Sequence, residues 1–253
     1  MIDSHCHLEE EAYRKDLDDV IRTCREQGLK ALITVCADPE DWDKTLDLVN
    51  NYKGFVFACA SVHPIYIDRI TTQQVDEYFQ KLRDNRDVLV AIGETGADYF
   101  HVKETSLQKK QLELFRLHIE LARELDKPVV VHCRDAFADV IDILENEGAK
   151  RVMMHLFGGQ KFTERVIKNG WWISAGPILL KSKSHKKIIR DMPLEKIMLE
   201  TDSPWFGQDG RRNTPVSVIQ VAERIAEIKK ADVSYISDIT DKNARGFFSL
   251  PVT

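Results

Sequence analysis

Short apolar runs alternate with longer amphipathic segments along the whole chain. Runs that are apolar at nearly every position fit parallel strands buried on both faces. Eight such runs occur, at residues 2–7, 31–36, 55–62, 88–93, 128–132, 151–155, 171–175 and 197–200. The segments between them have helical spacing, as at 13–27, 107–126 and 136–147. In the second of these, Leu114, Leu117, Leu121 and Leu125 recur three or four positions apart, which predicts one buried stripe. Gly28 and Gly148 stand where helices stop, and Pro128 opens the strand that follows. Two further helical stretches, 215–229 and 234–248, come after the last strand.

Eight strands alternating with helices over 253 residues predict an α/β fold, a closed (β/α)8 TIM barrel occupying 1–253 as one domain. A doubly wound open sheet is the alternative. No glycine-rich phosphate loop follows the first strand, which weakens its dinucleotide-binding version.

Composition narrows the setting. The net charge of −5 argues against a protein that coats duplex DNA, because that affinity comes from a basic excess. No apolar run approaches the roughly 18 residues of a membrane span, and the first residues lack a signal-peptide pattern. Five cysteines, with no C-x-x-C spacing, point to a reduced, cytoplasmic compartment. No obligate protein partner is implied.

The polar residues gather at one level. His5, His7, His63, His132 and His155 fall at or just past the C-terminal end of an expected strand. Glu94 ends the fourth strand, and Asp202 follows the eighth. In a β/α barrel these ends open on one mouth, where catalytic side chains collect. His5 and His7 lie two apart on a strand, so both project from one face and can share a cation. Alone, such a pair is as often two surface histidines; with four further ligand-type residues on other strand ends, a metal site is the better reading. Glu94 closes a wholly apolar run, so its charge needs compensation, from a buried arginine or from two metals that it bridges. Glu200 and Asp202 share strand parity, Asp202 as the expected ligand and Glu200 as its hydrogen-bonded support. Cys6 and Cys133 have the opposite parity from the neighbouring ligands and are expected to pack, while His101, His118 and His185 read as ordinary surface or packing histidines. Lys181, Lys183, Lys186 and Lys187, and the pair Arg211 and Arg212, read either as a path for a nucleic-acid backbone or as solvated faces. Tyr66, Tyr99, Phe100, Trp205 and Phe206 could stack on bases or close a pocket.

In order, the chain carries Asp3-Ser4-His5-Cys6-His7, Val62-His63-Pro64, Gly93-Glu94-Thr95-Gly96-Ala97-Asp98-Tyr99 and Val131-His132-Cys133-Arg134. His155-Leu156-Phe157-Gly158-Gly159, Glu200-Thr201-Asp202-Ser203-Pro204, Arg212-Asn213-Thr214-Pro215 and Asn243-Ala244 follow. This ordered set resembles the TatD family of metal-dependent deoxyribonucleases, within the amidohydrolase-like superfamily, across the whole chain. Departures at Ile65, Ala97, Leu156, Gly158 and Ala175 touch no ligand candidate.

The resemblance implies one metal held by His5, His7, Glu94 and Asp202 and a second held by Glu94, His132 and His155, with Asp202 and Glu94 catalytic. His63 and Arg134 resemble the family's phosphate contacts, and Trp205 is the leading stacking candidate. The cofactors expected are two divalent metal ions, Zn, Mg or Mn; imidazole favours zinc, manganese or iron, and magnesium prefers oxygen and water. Such a pair can clamp a phosphoryl oxygen and acidify a shared water. The implied activity is a 3′–5′ exonuclease or phosphodiesterase acting on DNA, on single strands or 3′ ends. A carbonyl hydrolase of the amidohydrolase class, acting on a lactone, cyclic amide or aminoacyl ester, is the alternative, because the same metal pair serves both.

Overall fold

The eight apolar runs form eight parallel strands that pair in chain order. They are β1 (Ile2–Cys6), β2 (Ala31–Cys36), β3 (Val56–Ala60), β4 (Leu89–Asp98), β5 (Val129–Arg134), β6 (Val152–Met154), β7 (Trp172–Ala175) and β8 (Ile197–Leu199). The helices are α1 (Leu17–Glu26), α2 (Trp42–Asn51), α3 (Thr72–Asp84), α4 (Thr105–Glu124), α5 (Phe137–Asn146), α6 (Thr163–Lys168), α7 (Lys183–Asp191), α8 (Val218–Lys229) and α9 (Val233–Phe248). This computed structural model describes residues 1–208 and 210–251; the other three, part of the expected 1–253 domain, lie outside the described residues. Among the described residues, no helix is long and apolar enough to cross a membrane.

Strand parity divides the core in two. Ile33 and Val35 of β2, Phe57 and Cys59 of β3, Val130, Met153 and Met198 turn inward into one apolar cluster. Leu32, Cys36, Val56, Ala58, Val129 and Val131, of opposite parity, turn outward against the helices. Phe247, Phe248 and Leu250, from the end of α9 and beyond, pack on the inner cluster beside Ile2 and Ala31, the first residues of β1 and β2. The floor of the barrel is therefore apolar and covered, leaving chemistry to the opposite end.

The seam between β1 and β8 closes just above the strand ends. The Asp202 N–H donates to the His5 carbonyl at 2.9 Å, and the His7 N–H to the Ser203 carbonyl at 2.8 Å. Asp3, wholly buried, accepts from the Thr201 N–H at 3.0 Å and its hydroxyl at 2.5 Å. Without those donors a carboxylate this deep would be costly to bury. One aspartate thus fixes the first ligand strand to the loop that carries Asp202.

Two expectations need correction. Glu94 does not end its strand: β4 runs on to Asp98, with Gly96 beside His132 and Asp98 beside Arg134. Gly96, within this lengthened strand, serves close contact with β5. A Cβ at Gly96, where φ is +141°, would lie 2.0 Å from the His132 carbonyl oxygen. Leu117 is 43% exposed, because Phe115, His118, Ile119 and Ala122 centre the buried face of α4 and leave Leu117 at its edge.

Candidate metal centre

Glu94 sits at the middle of the barrel mouth, and its two oxygens face different partners. Oε2 lies 3.2 Å from His5 Nε2 and 4.0 Å from His7 Nε2. Oε1 lies 2.6 Å from His132 Nδ1, 3.4 Å from His63 Nε2 and 3.5 Å from His155 Nε2. Asp202 Oδ1 is 3.2 Å from His7 Nε2, 3.7 Å from His5 Nε2 and 3.9 Å from His155 Nε2. All six expected ligands, with His63, converge on one space.

A hydrogen bond on the far side orients each of three rings. His7 Nδ1 donates to the Val35 carbonyl at 2.9 Å, with Glu9 Oε1 at 3.3 Å from the same nitrogen. His155 Nδ1 donates to Glu200 Oε2 at 2.8 Å, and Glu200 Oε1 accepts from the Leu156 N–H. His132 Nε2 donates to Asp98 Oδ2 at 3.0 Å, and Asp98 is also held by the His101 ring and backbone. Such outer contacts decide which ring nitrogen faces the centre. Glu200 takes its expected supporting place. Asp98 and Glu9 carry no role in the sequence reading, although Asp98 shares parity with Glu94 along the lengthened β4.

Charges in the cluster offset one another. Burial works against the ionised form of Glu94, but His155, His63 and His5 hold it well below the usual carboxylate range. Asp202 is lowered despite burial, through His155 and its bond to His7. Burial opposes a charge on His155, yet Glu200, Glu94 and Asp202 raise it to about 10. His132, also opposed by burial, is carried to about 8 by Asp98 and Glu94. His7 rises well above its ordinary value against the same opposition, through Asp202 and Glu9. Burial and neighbouring imidazoles lower His5 and His63.

His5 tests whether a cation fits. It is wholly buried, and neither ring nitrogen makes a hydrogen bond; the contact to Glu94 lacks the alignment of one. An unsatisfied buried group of this kind costs about 1–3 kcal/mol, and a cation among these imidazole and carboxylate donors would satisfy Nε2. Three sets of donor atoms lie close enough to hold an ion: His5, His155 and Asp202; His5, His7 and Glu94; and His63, Glu94 and His132. The third set puts His63 where His155 is expected. However, His63 Nδ1 accepts the Ile65 N–H at 3.2 Å, so Nε2 retains its proton. Chemistry therefore favours His63 as a donor rather than a ligand.

The remaining candidates lie outside the cluster. Arg134 is exposed, its guanidinium 3.9 Å above the Phe100 ring. Trp205 is 52% exposed, tied to the centre through its N–H bond to the Asp202 carbonyl. Arg212 is paired with Asp16 at 2.6 Å and lies over the Tyr13 ring, which removes it from the expected basic path. Tyr66 and Tyr99 are likewise engaged, under Arg69 and bonded to Asp139. Cys6 and Cys133 pack as expected, and burial pushes both thiols up. His118 is wholly buried, accepting the Val62 N–H through Nε2 at 3.1 Å and reaching the Leu114 carbonyl through Nδ1 at 2.9 Å. It pins α4 beneath His63.

Comparison with known proteins gives a consistent picture. A family profile described as TatD related DNase matches residues 2–249. The deoxyribonuclease TATDN3 of Homo sapiens is 32% identical over 98% of this chain and 94% of its own. YabD of Bacillus subtilis, described as a metal-dependent hydrolase, is 33% identical over 99% of both chains. Among solved structures, the TatD homologue YJJV of Escherichia coli superposes with a TM-score of 0.92 at 24% identity, covering 99% of this chain and 98% of that one. That last likeness concerns the fold.

Proposed function

Because the chain belongs to the TatD-related DNase family, we propose that this metal-dependent hydrolase cleaves phosphodiester bonds of DNA at the carboxylate shared between its histidine groups. The division of Glu94 carries the reading: one oxygen turns to His5 and His7, the other to His132 and His155. His5, His7 and Asp202 would hold one divalent cation with Glu94 Oε2, and His132 and His155 a second with Oε1. Zinc or manganese suits the imidazoles, and magnesium would lean on the carboxylates. When bound, the pair supplies Lewis acidity toward a phosphoryl oxygen and lowers the pKa of a nearby water.

The protein's own groups do the rest. Asp202 faces the same space as Glu94 and would orient the attacking water and take its proton. His63, its Nε2 proton held by the Ile65 contact, would donate to a non-bridging phosphate oxygen. Arg134, propped on Phe100, presents a planar guanidinium at the rim, where charge builds on the phosphate. Trp205 offers an exposed ring on which a terminal base can stack. The site is deep, with His5 wholly buried and Glu94 nearly so, which suits a strand end better than the middle of a duplex. On this reading the substrate is a single strand taken from its 3′ end. We read residues 1–253 as one working unit, and its five free cysteines support a cytoplasmic setting.

The test gives chelator-stripped protein Mg, Mn or Zn and offers it 5′-labelled single-stranded DNA beside a panel of lactones and esters. Stepwise, metal-dependent loss of 3′ nucleotides that disappears in Glu94→Gln is expected. Ester or lactone cleavage with intact DNA would move the protein to the carbonyl hydrolases.

A further inference from the structure

Ion pairs interleave the charges on much of the barrel flank: Arg83 with Glu124, Arg116 with Glu147, Arg165 with Asp142 and Glu145. Helix α7 departs from this. It carries Lys183, Lys186, Lys187 and Arg190, and its one carboxylate is Asp191 at the last position. Spacings of three, four and seven put all four cations on one face. Like charges so spaced repel one another and weaken a helix. Among the described residues, neither these four nor Lys181 just before them lies within ion-pair distance of a carboxylate. The face carries an uncompensated positive field on a protein whose net charge is −5.

A groove of about 360 Å³ lies between the loops after β7 and β8, lined by Pro177, Ile178, Leu180, Lys181, Phe206 and Gln208, and α7 begins two residues after Lys181. Phe206 is 43% exposed and lies four residues beyond Asp202 on the same loop. The groove therefore joins an aromatic ring on the loop that carries Asp202 and an apolar wall to Lys181, at the start of the cationic helix. Stacking surface followed by positive charge is the chemistry that grips the bases and backbone of an unpaired strand. An anionic membrane surface would use the lysines but has no use for an aromatic groove on the loop that carries Asp202.

We propose that this groove and the cationic face of α7 hold the part of a nucleic-acid strand that lies outside the metal centre, so that the enzyme distinguishes a long strand from a dinucleotide here. The proposal rests on the phosphodiesterase reading above. The test uses the metal-loaded full chain and two variants, Lys183→Gln with Lys187→Gln, and Phe206→Ala. Steady-state kinetics compare a long oligodeoxynucleotide with a dinucleotide, and fluorescence anisotropy follows binding of a phosphorothioate strand across salt concentrations.

Each variant is expected to raise KM for the long strand several-fold more than KM for the dinucleotide. The double lysine variant should also flatten the dependence of log affinity on log salt by about 1.4, two phosphate contacts at about 0.7 each. Unchanged salt dependence with an unchanged KM ratio would overturn the proposal. So would loss of binding to phosphatidylserine vesicles while strand binding is kept, which would assign the face to a membrane. If the wild type cleaves neither substrate, the phosphodiesterase reading fails by itself, and the salt dependence of strand binding still decides the groove.

Discussion

Val130 and His132 stand two residues apart on β5, and Met153 and His155 are separated in the same way at β6. In each pair the lower residue joins the apolar floor, covered by Phe247 and Phe248, and the upper one joins the charged mouth. Met198 below Glu200 repeats the arrangement on β8. The two ends are built from the same strands, yet they are held by different forces. The floor is stabilised by packing and tolerates no voids. The mouth gathers carboxylates and imidazoles whose charges offset one another, and it leaves His5 without a hydrogen bond. A stable floor lets the mouth keep groups that a stability-driven core would exclude.

The largest effect should come from breaking the mouth alone. Glu94→Gln is expected to lower turnover on the order of a thousandfold, about 4 kcal/mol, with an unchanged far-ultraviolet circular dichroism spectrum. Activity close to wild type in that variant would remove the shared-carboxylate account. Breaking the floor alone should do the reverse. Phe247→Ala opens a cavity under the barrel and should cost about 3–5 kcal/mol in denaturant melts, while kcat of the folded fraction stays at wild type. A floor variant that loses turnover before stability would show that the two ends are not separable.

His118 links the helical layer to the mouth, and its titration sharpens the comparison. Burial holds its folded value at about 4, against 6.5 for the unfolded chain. The unfolded state therefore binds the proton first, and stability is complete above about 6.5 and falls as pH drops toward about 4. The contribution at stake is about 3 kcal/mol, seen as a slope in urea melts that His118→Gln should flatten. An equal slope in wild type and variant would assign the acid sensitivity elsewhere.

The smallest effects should come from the outer supports. Asp98→Asn and Glu200→Gln keep the ligands but loosen the rings of His132 and His155. Each should weaken metal affinity about 10- to 100-fold, read by competition with a chromophoric chelator. Affinity unchanged in both would mean that the rings are held by packing alone.

Much of this is legible in the sequence alone, for identifiable reasons. Buried parallel strands are apolar on both faces, so their ends stand out, and the residues that follow the apolar runs or fall at their ends here include His5, His63, His132, His155 and Asp202. Parity then separated Cys6 and Cys133 from the ligands and put Glu200 on the same side as Asp202. What sequence could not show was long-range pairing. The need for glycine at position 96 shows only once β5 lies against it, and Asp98 becomes the support of His132 only once β4 continues. Arg212 reads as a free cation until Asp16, far away in the chain, is brought beside it. His118 looks like any helix histidine until Val62 presents its N–H.

The central claim is that Glu94 is shared by two cations, and electron paramagnetic resonance of the manganese-loaded protein tests it most directly. The account predicts two equivalents of manganese per chain, with an exchange-coupled spectrum that collapses to isolated ions in Glu94→Gln. A wild-type protein that binds a single equivalent, with the spectrum of an isolated ion, would contradict it.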